Sequence, residues 1–316
     1  MLHDYLENFY ADCGYGTSEC SCTTISVENL EAALYEPGGT ISDALFECEA
    51  LIHLTLTSNE LTGTISDAIG NLTSLSSLAL GPNALFGSIP GSLTRLASLS
   101  TLDLADNWLT GSVPAGLGAL SALYYLSLSG NDLTGTLPSS LSALTAATSL
   151  YFGDNDLRGR IPDVLAPLAS LMTLDLSSNQ LTGKLPGSVS GLGALVSLHV
   201  DDNRLDGPLP DELGALSSLQ ILDAHDNHLT GAIPKALSRC AALRQLYLYD
   251  NDLSGPIPGE LGEAGALPLL TYMYLNDNDL TGTLPDSLFA MPALYDLRVG
   301  DNQLSGTLPE ALVNAP

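Results

Sequence analysis

Side chains able to bind or react recur in this chain at a spacing of 24 residues. Aligned on Asn59, Asn83, Asn107, Asn131, Asn155, Asn179, Asn203, Asn227, Asn251, Asn278 and Asn302, the position four places upstream reads Thr55, Ala79, Asp103, Ser127, Tyr151, Asp175, His199, Asp223, Tyr247, Tyr274 and Arg298. Two places before this column stand Tyr125, Ser197, Gln245, Tyr272 and Asp296, and two places after it Asp201, His225 and Tyr249. Tyrosine offers a wide apolar face with a polar edge, which suits peptides and sugar rings. The candidate ligand-binding residues are therefore Tyr151, Asp175, His199, Asp201, Asp223, His225, Tyr247, Tyr249, Tyr272, Tyr274 and Arg298, densest between residues 197 and 279. The plainer reading is that they are exposed strand residues, since tyrosine favours strands anyway.

A second column stands immediately before the asparagine: Asp106, Asp154, Asp202, Asp226, Asp250, Asp277 and Asp301. Like charges about 5 Å apart repel by roughly 0.8 kcal/mol even in water. A cation would offset that repulsion, and calcium takes six to eight oxygens. Asp202, Asp226, Asp250, Asp252, Asp277 and Asp279 form a speculative calcium set, against the alternative that each aspartate caps a turn. His199, His225 and His228 fall near Asp201, Asp223 and Asp226, which formally allows a transition metal or a hydrolytic pair beside Ser197. Neither has a sequence signature, so no catalytic residue is expected. A row of threonines (Thr62, Thr64, Thr110, Thr134, Thr136, Thr281, Thr283) resembles a water-ordering face, but Phe86, Arg158, Arg160, Lys184 and Asp206 interrupt it.

The elements that position these columns follow from the repeat. In the copy from Leu171 to Pro186, Leu171, Leu174, Leu176 and Leu181 alternate with polar residues, so the leucines face inward and the residues between them outward. The asparagine side chain is expected to satisfy backbone groups of the turn and the next copy. Thr-Gly then gives a turn, and the prolines from Pro90 to Pro309 open the opposite side of each coil. Asp67, Asp163, Asp211 and Asp286 sit just past that position, where carboxylates favour a helical N-terminus. One copy cannot bury its own apolar side, so copies must stack. Residues 1–47 read as a capping region with a degenerate copy at Gly39, Thr40 and Ile41, and 48–316 as eleven repeats without a C-terminal cap.

Composition narrows the partners. The chain of 316 residues carries 36 acidic and 9 basic residues, a net charge of −27. Nucleic acid is an unsuitable partner for such a surface; a saline habitat would also favour it. No apolar run is long enough to span a membrane, and no leader is visible. Cys13, Cys20, Cys22 and Cys48 cluster as disulfide candidates with three possible pairings, and Asn71 begins a glycosylation sequon. Both features fit an exported protein whose leader has been removed. Cys240 and Cys48 share the register of the buried Leu72, Leu96 and Leu216, so Cys240 reads as core and Cys48 as either core or bridged.

The extended pattern LxxLxxLxLxxNxLTGxIPxxLgxL, over residues 48–316, resembles the plant-specific class of leucine-rich repeats found in receptor-kinase ectodomains, polygalacturonase-inhibiting proteins and algal or microbial relatives. The resemblance implies an α/β solenoid: a right-handed leucine-rich-repeat superhelix of 24-residue repeats, with a parallel concave β-sheet, 3-10 or short helical segments on the convex side, and a second short sheet beside the LTGxIP segment. It also implies an extracellular setting and recognition without catalysis.

Together these features predict a non-enzymatic extracellular recognition module that binds a protein, peptide or glycan on its concave face. The alternative is a structural or adhesive component of an extracellular assembly, such as a cell wall or flagellar hair, with calcium as a possible cofactor and a partner covering the uncapped C-terminal end.

Overall fold

The computed structural model describes residues 23–26 and 39–307; Cys13, Cys20, Cys22 and most of the expected cap lie outside them. The chain divides into two compact units, Met1–Asp156 and Leu157–Pro316. Each unit is built from the same coil: a three-residue strand, a turn through the asparagine, a second short strand, and a return segment opposite the first strand. Among the described residues, no helix is long and apolar enough to cross a membrane.

In the first unit the main strands are Thr24–Ser26, His53–Thr55, Ser77–Ala79, Thr101–Asp103, Tyr125–Ser127 and Ser149–Tyr151, and the second sheet holds Phe86–Ser88, Trp108–Ser112 and Asp132–Thr134. Phe86 lies in register with Trp108, and both are exposed. In the second unit the main strands are Thr173–Asp175, Ser197–His199, Ile221–Asp223, Gln245–Tyr247, Tyr272–Tyr274 and Asp296–Arg298. Its second sheet runs from Arg158–Arg160 to Gln303–Leu304 and takes one strand from every coil. All pairing is parallel, and in the second unit leucine meets leucine or methionine at the middle of the main strands: Leu198 on Leu222, Leu222 on Leu246, Leu246 on Met273. Those residues are fully buried. Because strand side chains alternate, the residues flanking each buried one must face outward. Of the threonine row, Thr110, Thr134 and Thr281 stand in strands of the second sheets, and Thr64 and Thr283 lie outside them.

The asparagine ladder closes the turn between the two strands. Asn203 Nδ2 donates to the carbonyls of Leu176, Val200 and Asp201 at 2.9, 3.3 and 2.9 Å. Its Oδ1 accepts the N–H of Leu181 from the preceding coil at 2.9 Å. Asn131 and Asn227 repeat this pattern, and seven of the ladder side chains, Asn59, Asn107, Asn131, Asn179, Asn203, Asn227 and Asn278, are buried. A buried amide with both ends bonded stitches neighbouring coils at little desolvation cost.

The return segments are single 3-10 turns, such as Asp67–Asn71, Asp211–Ala215 and Asp286–Ala290. Their cap residue is usually proline, which offers no side-chain bond; Ser66 is different, its Oγ accepting from Ala68 N at 3.3 Å. The expected helical N-terminus at Asp163 is absent: residues 163–168 form turns only. Pro167 stands where Ala215 closes the turn in another coil, and it has no N–H to donate. Leu165 N instead bonds Ser188 Oγ of the next coil at 3.3 Å. The irregular turn presses against its neighbour there, where a Cβ on Gly191 would lie 2.4 Å from Ala166 Cα.

Cys240 is a free, buried thiol as its register implied, and burial pushes its pKa up to about 11. Cys48 is buried and disulfide-bonded.

Candidate functional site

Strand register in the second unit places the variable column on one outward face. Asp175 pairs with His199, His199 with Asp223, Asp223 with Tyr247, Tyr247 with Tyr274, and Tyr274 with Arg298. The column two places upstream stacks beside it as Ser197, Ile221, Gln245, Tyr272 and Asp296. Tyr151 belongs to the first unit, where it pairs with Ser127 and its ring lies 5.6 Å from that of Tyr125.

The aromatic rings gather as their order along the sheet requires. Tyr247 and Tyr274 lie 4.9 Å apart between centroids at 38°, and Tyr272 meets Tyr274 edge-on at 6.3 Å. Tyr249 stacks on His225 at 4.2 Å and 17°. The Arg298 guanidinium lies 4.1 Å over the Tyr274 ring, a cation–π arrangement. Asp296 Oδ2 accepts from Arg298 Nη2 at 3.0 Å, Arg298 Nε at 3.2 Å and Tyr274 Oη at 2.8 Å. The bond to Asp296 raises the Tyr274 phenol above its ordinary value, and the Arg298 bond holds the Asp296 carboxyl below its own. Asp223, Tyr247, Tyr249, Tyr274, Asn276 and Arg298 surround an open hollow of about 270 Å³. Burial, reinforced by Asp223 and Asp226, pushes Tyr249 up to about 12, so its hydroxyl stays a neutral donor. Asn276 was not among the sequence candidates. It occupies the same offset as Asp201, His225 and Tyr249, which was the signal for it.

Next to the hollow lies a polar cluster. His225 Nδ1 and Asp223 Oδ1 are 2.5 Å apart, and His199 Nδ1 is 4.0 Å from Asp201 Oδ1. Burial works against a charged His225, but its bond to Asp223 and the nearby carboxylates outweigh that and raise its pKa. Burial, then the Asp223 charge, push Asp201 up to about 6. His228 stands apart from this cluster: it is exposed on the second sheet, 3.9 Å from Asp252.

The aspartate column before the asparagines has a backbone explanation. Asp106, Asp154, Asp202, Asp226, Asp250, Asp277 and Asp301 all have φ between 48° and 55°. This left-handed region is open to glycine and tolerated best by Asn and Asp among the rest. Ser58, Gly130 and Ser178 take the same conformation in other coils. The proposed calcium set is split by this geometry. Asp252 and Asp279 belong to the second sheet, and Asp279 Oδ1 accepts from Gln303 Nε2 at 2.8 Å. Among the described residues, the groups whose ligand atoms all lie within 4.8 Å of one another are His199 with Asp201 and Asp223, and Asp201 with Asp202 and His225. Asp202 is the one member of the calcium set in either group.

Comparison with known proteins fits this architecture. The leucine rich repeat family model matches residues 145–205, and a second such model matches 50–72, 98–120, 122–144, 218–240, 242–264 and 269–291. Comparison with curated proteins gives no match. Among solved structures, the plant peptide hormone receptor RGFR1 in complex with RGF2 is 34% identical, with a TM-score of 0.84 over 88% of this chain and 44% of that one. The Arabidopsis receptor kinase HAESA, in complex with the peptide hormone IDA and the co-receptor SERK1, is 34% identical, with a TM-score of 0.81 over 88% of this chain and 46% of that one. A plant ice-binding protein is 26% identical, with a TM-score of 0.64 over 90% of this chain and 82% of that one. The chain thus spans less than half the length of these two receptor chains. With the repeat models covering most of its described coils and the asparagine ladder bonded as above, the chain belongs to the leucine-rich repeat proteins.

Proposed function

We propose that the second unit is an extracellular peptide-recognition surface, with Tyr247, Tyr249, Tyr274 and Arg298 as its anchor residues. The observation that carries this reading is the hollow of about 270 Å³ that these residues form with Asp223 and Asn276 on a rigid parallel sheet. Tyrosine faces pack an apolar or aromatic peptide side chain at low entropy cost, while Arg298 and Asn276 offer N–H donors to peptide carbonyls. The similarity to receptor structures solved with peptide hormones supports both a peptide ligand and the extracellular setting. Nothing in the comparisons favours a glycan.

The test is selection of binders from a displayed random-peptide library, followed by titration of the selected peptides against variants. Tyr247→Ala and Tyr274→Ala should each weaken binding by about 2 kcal/mol, roughly thirtyfold, with Tyr125→Ala in the other unit as the control. Peptides that bind both variants as tightly as the parent would place recognition elsewhere.

A further inference from the structure

Peptide recognition at the tyrosine hollow leaves His199 and Asp201 unexplained. We propose that His199, Asp201 and Asp223 bind a divalent transition-metal ion of the zinc class, with His225 holding Asp223 in place. His199 and Asp223 are register partners on adjacent strands, and Asp201 follows His199 by two residues, so all three project from the same face of the sheet. Their ligating atoms lie within 4.8 Å of one another. In a tetrahedral site with bonds of about 2.0–2.1 Å, donor atoms sit about 3.3 Å apart. The 4.0 Å between His199 Nδ1 and Asp201 Oδ1 is therefore closed by a small side-chain rotation.

An independent observation concerns Asp201 itself. Its Oδ1 is buried and accepts no hydrogen bond, although a buried carboxylate oxygen costs free energy unless something satisfies it. A metal ion shared with His199 and Asp223 satisfies it. Among the described residues, the ion pairs of Asp201 and Asp223 are with histidines rather than with Lys or Arg, so a cation also relieves two facing carboxylates. His225 donating to Asp223 supplies the outer-shell bond that ligating carboxylates ordinarily have. One imidazole with two carboxylates selects for zinc-like ions over calcium, which prefers a full set of oxygens.

The experiment uses the full chain after chelator treatment, titrated with Zn²⁺ by calorimetry and with Co²⁺ by visible absorption. One saturable site is expected, with a Co²⁺ spectrum showing nitrogen and oxygen ligation. His199→Gln and the near-isosteric Asp201→Asn should each weaken binding by at least about tenfold, while His228→Gln leaves it unchanged. Circular dichroism confirms that the variants are folded. Absence of saturable binding of either ion, or binding that His199→Gln and Asp201→Asn leave intact, overturns the proposal.

Discussion

The N–H of Asn227 donates to the carbonyl oxygen of Asp250, one coil further on, at 3.1 Å. Asp250 can present that carbonyl because its backbone is left-handed, with φ at 52°. The same bond joins Asn203 to Asp226 and Asn278 to Asp301, both at 3.1 Å. The aspartate column thus serves the stacking of coils through its main chain, whatever its side chains do.

Changing the side chain at Asp250 should separate conformation from charge. Asp250→Val should cost about 1–2 kcal/mol, the penalty of a left-handed backbone for an ordinary residue, whereas Asp250→Gly removes that penalty. Burial and the charges of Asp226 and Asp277 raise the Asp250 pKa, so Asp250→Asn should be slightly stabilising at low salt and neutral in high salt. Chemical denaturation at two ionic strengths measures all three. Equal effects of Val and Asn would show that the backbone conformation is unimportant.

The ladder asparagines should be the costliest polar residues to remove. Asn203→Ala orphans the N–H of Leu181 and leaves the carbonyl of Leu176 with only its 3.3 Å bond from Asn179 Nδ2. At about 1–3 kcal/mol for an unsatisfied buried group, a loss of about 2 kcal/mol is expected in equilibrium unfolding. A loss under about 1 kcal/mol would mean that water replaces the side chain.

Asp103 predicts a pH dependence in the first unit. Burial raises its pKa from the ordinary 3.8, opposed by the Ala105 N–H and assisted by Asp106. A carboxyl with a raised folded-state value favours the fold while protonated, and that contribution is lost as pH rises through its folded value. Asp103→Asn keeps an oxygen for Ala105 N and has no charge to bury. It should match the parent below about pH 3.8 and exceed it in stability at neutral pH. Melting temperatures across that range decide the matter; a variant less stable at pH 7 contradicts it.

Cys240 should be inert while the chain is folded. It is fully buried, its thiol is pushed up to about 11, and its Sγ–H donates to the carbonyl of Leu213 at 3.3 Å. The thiolate is the reactive form, so iodoacetamide should modify the Cys240 peptide in denaturant and spare it in native buffer, as read by mass spectrometry. Fast modification of the native protein would reveal an opening of that coil.

Features that follow the 24-residue period were legible in the sequence. The inward leucines, the ladder from Asn59 to Asn302 and the column from Asp175 to Arg298 stand in the register that the spacing predicted, because a repeated side-chain pattern fixes both strand and face. The sign of a backbone torsion has no such signature, so the aspartates before the asparagines read as a charge row rather than as left-handed residues. His228 looked close to His199 and His225 by number, but it lies past the turn, on the other sheet. The missing 3-10 turn at residues 163–168 turns on one substitution, Pro167, that an averaged pattern conceals. The division after Asp156 had no periodic mark either.

The invariant register within the second unit also bears on how such a surface changes over generations. Deleting the 24 residues 202–225 would leave every remaining asparagine its bonding neighbours, yet would seat His199 directly beside Tyr247 and abolish the His225–Asp223 pair. Gain or loss of whole coils therefore reshuffles the chemistry displayed without asking the chain to solve a new folding problem.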